Sequence, residues 1–291
     1  MMKHTCTLVL LLAAWQVFAG QSIDQRQPAS ARGTVEVANV AGTVNVRGTT
    51  KDEVHVAGEL ASNARLEFSV DGARTTIKVV LPKGTMHHGS SDLDIEIPAG
   101  SDLTVSTVSA DAGVQQVRGV LDLQTVSGNI ETEAFDKDAN LRTVSGDVTV
   151  RGNRGSAVLT VVSVSGNVDV KNTGGDANAS SVSGDLNLRL TTVGRSRLRT
   201  TSGDITMYGE LTKDAHVDSE TVSGDISFYL GGSRDADYDL ATATGDISNC
   251  FGPEVVSRKY GPGQDLRFRQ GSTDASLRAR ALSGDITLCK N

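Results

Sequence analysis

The sequence has few aromatic residues and too little positive charge to balance its acids. Its 291 residues include one tryptophan, four tyrosines and six phenylalanines, and 28 Lys and Arg stand against 35 Asp and Glu. An acidic chain lacks the basic footprint that nucleic acids and anionic lipid surfaces require, so neither is an expected partner. The scarcity of aromatic rings also argues against a sugar-cleaving groove, because ligand grooves are usually lined with aromatic and apolar side chains.

Long apolar runs are absent after the first twenty residues. Residues 1–19 contain Lys3, an apolar run from Leu8 to Trp15, and a small-residue end at Ala19. This layout predicts a signal peptide over residues 1–19, cut after Ala19 or Gly20, and its apolar run is shorter than the roughly 20 residues of a spanning helix. Removal would leave 27 Lys and Arg, a net charge of −8 and no tryptophan. We therefore expect an exported protein, periplasmic, envelope-bound or extracellular, with no membrane span after removal of the signal.

The chain after the signal shows two patterns before its repeats begin. Residues 20–32 are polar and contain Pro28, so they predict a flexible leader. From Gly33 onward, β-branched residues alternate with polar ones between Gly, Asn and Asp, as in Val35, Val37 and later Val54 and Val56. Period-two alternation bounded by turn formers is typical of strands. We predict an N-terminal β-rich cap region over residues 33–105.

A six-residue unit, Thr-Val-Ser-Gly-Asp-Val at 143–148, recurs through the rest of the chain. Its glycine position is occupied by Ala110, Gly128, Gly146, Gly166, Gly184, Gly203, Gly224 and Gly245, at intervals of 18 to 21 residues, and by Gly284 after a further 39. The long interval predicts a degenerate repeat at Gly263–Phe268. Periods near 20 with strand character predict an all-β fold, a single-stranded, β-helix-like β-solenoid with coils of about 18–21 residues over 106–291.

The columns of the repeat predict which side chains face inward. We expect the apolar residues two places after each glycine to form an interior ladder: Ile130, Val148, Val168, Leu186, Ile205, Ile226, Ile247 and Ile286. We expect the same of the column two places before it: Val126, Val144, Val164, Val182, Thr201, Val222, Ala243 and Leu282. The direction of Thr125, Thr143 and Ser163 stays open. The glycine predicts either a positive φ or a close backbone approach at a corner.

These motifs resemble a known family. The repeated Thr221-Val-Ser-Gly-Asp-Ile226 unit, the opening segment 33–46, Ile97-Pro-Ala-Gly100 and the closing Leu282-Ser-Gly-Asp-Ile-Thr-Leu288 are similar to the DUF4097 family of β-strand-repeat proteins, labelled "putative adhesins". The resemblance covers residues 33–290. It implies a bacterial envelope or exported protein with a β-helix-like fold, associated in some relatives with envelope stress. It implies no catalytic residues and no cofactor, and the adhesin label is itself an inference from fold.

Two sets of side chains are candidate metal ligands. The residue after each glycine is acidic or an amide, and Asp185, Asp204, Asp225 and Asp246 could form a calcium ladder if stacked about 5 Å apart. The alternative is that each aspartate bonds its own corner, and the glycine-rich nonapeptide of calcium β-rolls is absent. His87-His88 near Asp92 and Asp94 could also suggest a metal. An exposed polar loop is the favoured interpretation there.

Cys250 and Cys289 occupy the same repeat position, five residues after Gly245 and Gly284. A disulfide between them is favoured over two free thiols in an exported protein. The 39-residue separation is the difficulty, because a further repeat would lie between them unless Phe251–Ser276 leaves the array. No histidine lies near either cysteine in the sequence, which argues against a catalytic thiol.

The favoured function is a non-catalytic, adhesin-like or envelope-associated protein that displays repeated Ser, Thr and Asp to a surface protein or glycan. The alternatives are a glycan-active β-helix enzyme, a lyase or hydrolase, and a calcium-stabilised rod. An enzyme of that class needs a convergent pair of carboxylates, whereas here the acids occur one per repeat. No nucleophile elbow, phosphate loop or zinc-binding helix motif is present in the sequence.

Overall fold

The computed structural model describes residues 20–82, 89–152, 157–257 and 261–291, and every regular element among them is a β-strand. The predicted signal peptide, residues 1–19, lies outside the described residues. The N-terminal strands are β1 (Gln21–Pro28), β2 (Thr34–Thr49), β3 (Glu53–Leu60), β4 (Arg65–Asp71), β5 (Arg74–Val80), β6 (Ser91–Pro98) and β7 (Asp102–Gln115). In the part of the chain that the structure describes, no helix is long and apolar enough to cross a membrane.

The remaining strands follow the repeats. They are β8 (Leu121–Gln124), β9 (Ile130–Ala134), β10 (Ala139–Arg142), β11 (Val148–Gly152), β12 (Leu159–Val162), β13 (Val168–Ser180), β14 (Leu186–Ser202) and β15 (Ile205–Ser223). The C-terminal strands are β16 (Ile226–Gly231), β17 (Ala236–Thr244), β18 (Ile247–Asn249), β19 (Val256–Ser257), β20 (Gln264–Gln270), β21 (Ser276–Ser283) and β22 (Ile286–Lys290).

The repeats build two stacks of parallel strands in register. In the first stack, the paired residues run Leu103, Leu121, Ala139, Leu159, Ala177, Ser196, Val217, Leu277 and Tyr238. In the second stack they run Ala112, Ile130, Val148, Val168, Leu186, Ile205, Ile226, Ile286 and Ile247. The six-residue unit is the corner that joins the first stack to the second. Each repeat therefore forms one layer.

The core lies between the two stacks. Because side chains alternate across a strand, every second residue of each segment points inward. The interior column predicted two places after the glycine is confirmed, with each member at most 6% exposed. A neighbouring inward column contains Val150, Val170, Leu188, Met207, Phe228 and Leu288, all fully buried. These ladders bury apolar surface continuously from layer to layer.

The N-terminal region corrects one prediction. Segment 20–32 was predicted to be a flexible leader, but Gln21–Pro28 form β1, which pairs antiparallel with β3 along all eight residues. Its sequence lacks apolar alternation because only Ile23 is buried, and the strand is held by backbone hydrogen bonds at the edge of the second stack. Pro28 fits there because it stands at the end of an edge strand.

The layers begin within the predicted cap region. β2 pairs in parallel with β7 from Thr34 to Arg47, and Gly42 lies opposite Ala110, the first glycine-equivalent position. Antiparallel strands cover this end. β3 pairs with β6 beside the second stack, and β4 pairs with β5 beside the first.

The C-terminal layers do not follow sequence order. β21 lies between β15 and β17, and β22 lies between β16 and β18. The layer formed last in the sequence is therefore inserted between the two layers that come before it in the chain. The predicted degenerate repeat at Gly263–Phe268 is therefore wrong. That segment belongs to β20, which pairs antiparallel with β17 and covers the end of the first stack. The 39-residue interval contains a covering strand rather than a layer.

Candidate functional site

The corner is organised by a buried hydroxyl. Thr143 is 4% exposed, and its Oγ1 accepts a hydrogen bond from the backbone N–H of Gly146 at 3.0 Å. The same hydroxyl donates to the carbonyl oxygen of Gly128 in the preceding layer at 3.4 Å. Thr125 and Ser163 are likewise buried and cap the N–H groups of Gly128 and Gly166. The Thr/Ser column, whose direction the sequence left open, points inward, where its polar atoms are satisfied.

The glycines are required by the distance between layers. A Cβ placed on Gly166 would lie 1.7 Å from the carbonyl oxygen of Gly146, and the other corner glycines meet the carbonyl of the neighbouring layer at 1.8 to 2.3 Å. A left-handed φ occurs only at Gly224, Gly245 and Gly284 among them. Of the two reasons predicted for glycine, close backbone approach is therefore the general one.

The column two places before the glycine was predicted to be interior, and this is wrong. These side chains point outward, and Val126 is 45% exposed. Because the inward position is taken by the hydroxyl that caps the corner, the next residue along an extended chain must face solvent. The exposed members form a line that we call the valine ridge: Val108, Val126, Val144, Val164, Val182, Val222 and Leu282. Thr201 interrupts it, and Ala243 lies in the layer above Leu282.

The Asp and Asn side chains form a hydrogen-bonded ladder beside this ridge. Each Oδ1 accepts the backbone N–H of the equivalent residue in the next layer, at 2.7 to 3.0 Å. The order is Asp111, Asn129, Asp147, Asn167, Asp185, Asp204, Asp225, Asp285 and Asp246. The ladder ends where Gln264 Nε2 donates to Asp246 Oδ1 at 2.9 Å. The backbone N–H groups thus stabilise these closely spaced carboxylates, which would otherwise repel one another.

The calcium hypothesis placed Asp185, Asp204, Asp225 and Asp246 in successive layers, and this order is wrong at its end. Asp225 and Asp246 are not adjacent, because Asp285 lies between them. Within the described residues, no group of three or more His, Cys, Asp and Glu side chains is arranged to hold a metal ion. For the second metal hypothesis, His87 and His88 lie outside the described residues. Asp92 and Asp94 accept hydrogen bonds from Thr43 and Asn45 at 2.9 and 3.0 Å.

Cys250 and Cys289 form a disulfide bond, with their Cα atoms 4.8 Å apart. The inserted layer explains how this is possible. Since β22 pairs directly with β18, Asn249 lies opposite Leu288, and the two cysteines follow in neighbouring layers. Between them, β19 and β20 lie outside the layers, and β20 covers β17, while Ser276 already belongs to β21.

The two half-buried tyrosines of the second stack are engaged with their neighbours. Tyr208 and Tyr229 stack with ring centroids 4.7 Å apart, and the guanidinium of Arg189 lies 4.8 Å from the centroid of Tyr208. Tyr229 is paired in register with Cys289 on its other side. A sugar ring stacks on a free aromatic face, whereas these faces cover one another. Phe228, the neighbour of Tyr229 in sequence, lies in the core.

One solved structure shares this fold at low identity, and a second resembles it less closely. A "putative lipid binding protein" from Parabacteroides distasonis superposes with a TM-score of 0.52 at 12% identity, over 92% of this chain and 98% of its own. A "putative adhesin" from Bacteroides fragilis gives a TM-score of 0.49 at 16% identity, over 72% and 97%. No curated protein matches. Such likenesses concern the fold alone. The model of the family Toastrack DUF4097, in contrast, matches residues 21–289, and the chain belongs to that family.

Proposed function

We propose that the protein is a non-catalytic, exported, adhesin-like β-solenoid that binds a component of the cell envelope through its corners. The observation that carries this proposal is the valine ridge, in which one exposed apolar side chain recurs in layer after layer. Contiguous exposed apolar surface on a folded chain commonly marks an interaction site. Here it is flanked by the exposed Asp and Asn column, so the corner presents apolar and polar groups side by side.

The scaffold suits this role because it fixes the spacing of the displayed groups. Neighbouring layers are tied at the corner by backbone hydrogen bonds, such as Ser145 N–H to the Val126 carbonyl at 2.9 Å and Ser165 N–H to the Val144 carbonyl at 2.8 Å. A partner therefore meets preformed rows at the strand spacing of roughly 4.8 Å. Little conformational entropy is lost on binding to a rigid surface.

Export is supported by the signal-like segment at residues 1–19 and by the Cys250–Cys289 disulfide. Disulfides persist in oxidising compartments such as the periplasm and the cell exterior. A non-catalytic role is supported by the distribution of acids at the corner. Each one accepts a hydrogen bond through its Oδ1, from the backbone N–H of the next layer or, at Asp246, from Gln264 Nε2, while glycan hydrolysis needs two carboxyl groups that converge on one bond.

The test is binding of the mature protein to purified envelope fractions, separated into membrane, glycan and protein components. The triple variant Val144→Ser, Val164→Ser, Val182→Ser removes the centre of the ridge and should lower binding at least tenfold. Val256→Ser is the control, because Val256 is 71% exposed and lies on β19, which pairs with β20 rather than with a layer of the ridge. Binding that survives the triple variant, or turnover of a cell-wall glycan by the wild-type protein, would refute the proposal.

A further inference from the structure

A groove crosses the outer face of the first stack, on a different side of the layers from the Asp and Asn ladder. It lies over β14, β15 and β21 and encloses a cavity of about 550 Å³. Two outward rows of side chains border it. One row is Arg195, His216 and Ser276, and the other is Arg197, Asp218 and Arg278, each set paired in register across the three strands. Between the two rows, side chains such as that of Val217 point into the core, so they do not fill the groove.

Two guanidinium groups of the groove form no ion pair within the described residues, although Asp176, whose Oδ1 accepts the Arg195 backbone N–H at 2.8 Å, also lines it. Arg197 Nε lies 3.9 Å from Asp218 Oδ2, and Arg199 shares that oxygen at 3.6 Å. Arg195 and Arg278 are exposed, and neither side chain forms an ion pair within the described part of the chain. A guanidinium presents a rigid fork of N–H donors that matches carboxylate and phosphate oxygens. Two such forks flank the same cavity.

The groove also has an unused acceptor. Asp218 Oδ2 lies 3.9 Å from Arg197 Nε and 3.6 Å from Arg199 Nη2, beyond hydrogen-bond distance, and the Asp218 side chain is 30% exposed. An accessible carboxylate oxygen can still accept a hydrogen bond from a ligand hydroxyl or amine. Arg195 and Arg278 favour the binding of an anionic group, whereas Asp218 favours a hydroxyl or amine donor. Asn178, His216 and Ser276 add further polar groups to the lining.

We propose that this groove binds an acidic carbohydrate, with its anionic group on Arg195 and Arg278 and a sugar hydroxyl donating to Asp218 Oδ2. A sugar acid or phosphorylated sugar carries both kinds of group on one small frame. The described lining residues include no Phe, Tyr or Trp, so the sugar would be held by charged and polar contacts rather than by ring stacking. Single-stranded nucleic acid, whose bases rely on aromatic stacking, fits less well. The net negative charge of the chain also opposes a densely charged polymer, so binding depends on local contacts.

The groove is long enough for more than one sugar. A smaller cavity of about 310 Å³ shares Asn178 and Arg197 with it, and a third of about 480 Å³ continues from Arg199 to Arg280. In this extension the arginines are already paired, Arg199 with Glu220 at 3.3 Å and Arg280 with Asp239. We expect the extension to contact neutral parts of an oligosaccharide, while Arg195 and Arg278 hold the charged unit.

The subsite at Arg195 and Arg278 is separate from the valine ridge, whose Val222 and Leu282 line only the far cavity beside Arg280. The inference about that subsite therefore stands whether or not the ridge binds a partner. The experiment is calorimetric titration of the mature, oxidised protein with three probes: oligogalacturonides, which carry carboxylates, short poly(glycerol phosphate), and neutral dextran oligomers. We expect binding of one or both acidic probes and none of dextran. The probe that binds more tightly identifies carboxylate or phosphate as the anionic group.

The decisive variant is Arg195→Ala, Arg278→Ala, which should weaken binding of the acidic probe at least tenfold. Arg65→Ala, Arg151→Ala is the matched control, because it removes the same charge from β4 and β11. Both pairs are exposed, so folding is checked by thermal unfolding of each variant. An equal loss in the two double variants would show non-specific charge attraction and overturn the proposal. So would the absence of binding to either acidic probe, or dextran binding of equal strength.

Discussion

Asp225 Oδ1 accepts a hydrogen bond from the backbone N–H of Asp285 at 2.8 Å, although sixty residues separate them in the chain. The layer that contains Asp246, only 21 residues after Asp225, is one step further along the ladder. The last layer is thus inserted between two layers that precede it. Completion of the array depends on the C-terminal residues, and the disulfide ties the inserted layer to its neighbour.

The first prediction concerns that disulfide. Reduction, or the double variant Cys250→Ser, Cys289→Ser, should lower the free energy of unfolding by about 2–4 kcal/mol, because the bond closes a long loop in the unfolded chain. Urea unfolding of the oxidised and reduced wild-type protein measures this difference. The reduced wild type serves as the control for the double variant, and the two should unfold together. Equal stability with and without the bond would contradict the prediction.

The repeat spacing predicted the layers but could not predict their order. Periodicity reports which residues are equivalent, whereas the position of β21 and β22 between earlier strands depends on pairing partners far apart in sequence. For the same reason, Gly263–Phe268 resembled a repeat although it forms a covering strand. β1 was missed because an edge strand held by its backbone needs little apolar alternation.

The corner shows a second limit of sequence analysis. The unit contains Thr143 and Val144 side by side, and hydrophobicity alone favours the valine as the buried residue. The structure buries Thr143 because only a hydroxyl can cap the Gly146 N–H, and this requirement exists only once the corner is formed. The interior column that starts at Ile130 was predictable, because no polar neighbour competes for its place.

The second prediction tests this hydroxyl. Thr143→Val keeps the shape of the side chain but leaves the Gly146 N–H without its partner, so it should lower the free energy of unfolding by about 1–3 kcal/mol. Thr143→Ser retains the hydroxyl and should cost clearly less. Urea unfolding of both variants measures the effect. If valine proved as stable as the wild type, the capping role assigned to Thr143 would be wrong.

The third prediction concerns the close approach of layers. Gly166→Ala places a Cβ 1.7 Å from the Gly146 carbonyl oxygen. The atoms that this Cβ meets are backbone atoms of the neighbouring layer, which cannot move aside as a side chain could. We therefore expect the free energy of unfolding to fall by at least about 3 kcal/mol. Gly113→Ala is the matched control, because its Cβ meets only the side-chain oxygen of Asn45 at 3.0 Å. Thermal unfolding should rank Gly166→Ala far below Gly113→Ala. Similar melting temperatures would show that the layers can separate at little cost.

The fourth prediction concerns acid sensitivity at the covered end. Burial raises the pKa of Asp239, but hydrogen bonds and attraction from Arg280 and Arg267 outweigh it and hold that pKa below its ordinary value. A lowered folded-state pKa contributes stability above the unfolded-state pKa, near 4, which is lost as the pH falls through the folded-state value. Asp239→Asn should therefore reduce stability at pH 7 but much less at pH 2–3. Asp237→Asn, whose carboxylate is more exposed, is the control, and a deficit independent of pH would contradict the assignment.

The last prediction distinguishes amide donors from a cation in the Asp ladder. Because Asp204 Oδ1 already accepts the Asp225 N–H at 2.8 Å, calcium should not raise the melting temperature and a chelator should not lower it. Asp204→Asn keeps the accepting oxygen and should unfold close to the wild type, whereas Asp204→Ala leaves that N–H without its partner and should be less stable. A calcium ligand would behave differently, since an amide replaces a carboxylate poorly around a hard cation. A melting temperature that rises with calcium in the wild type but not in Asp204→Asn would restore the metal hypothesis.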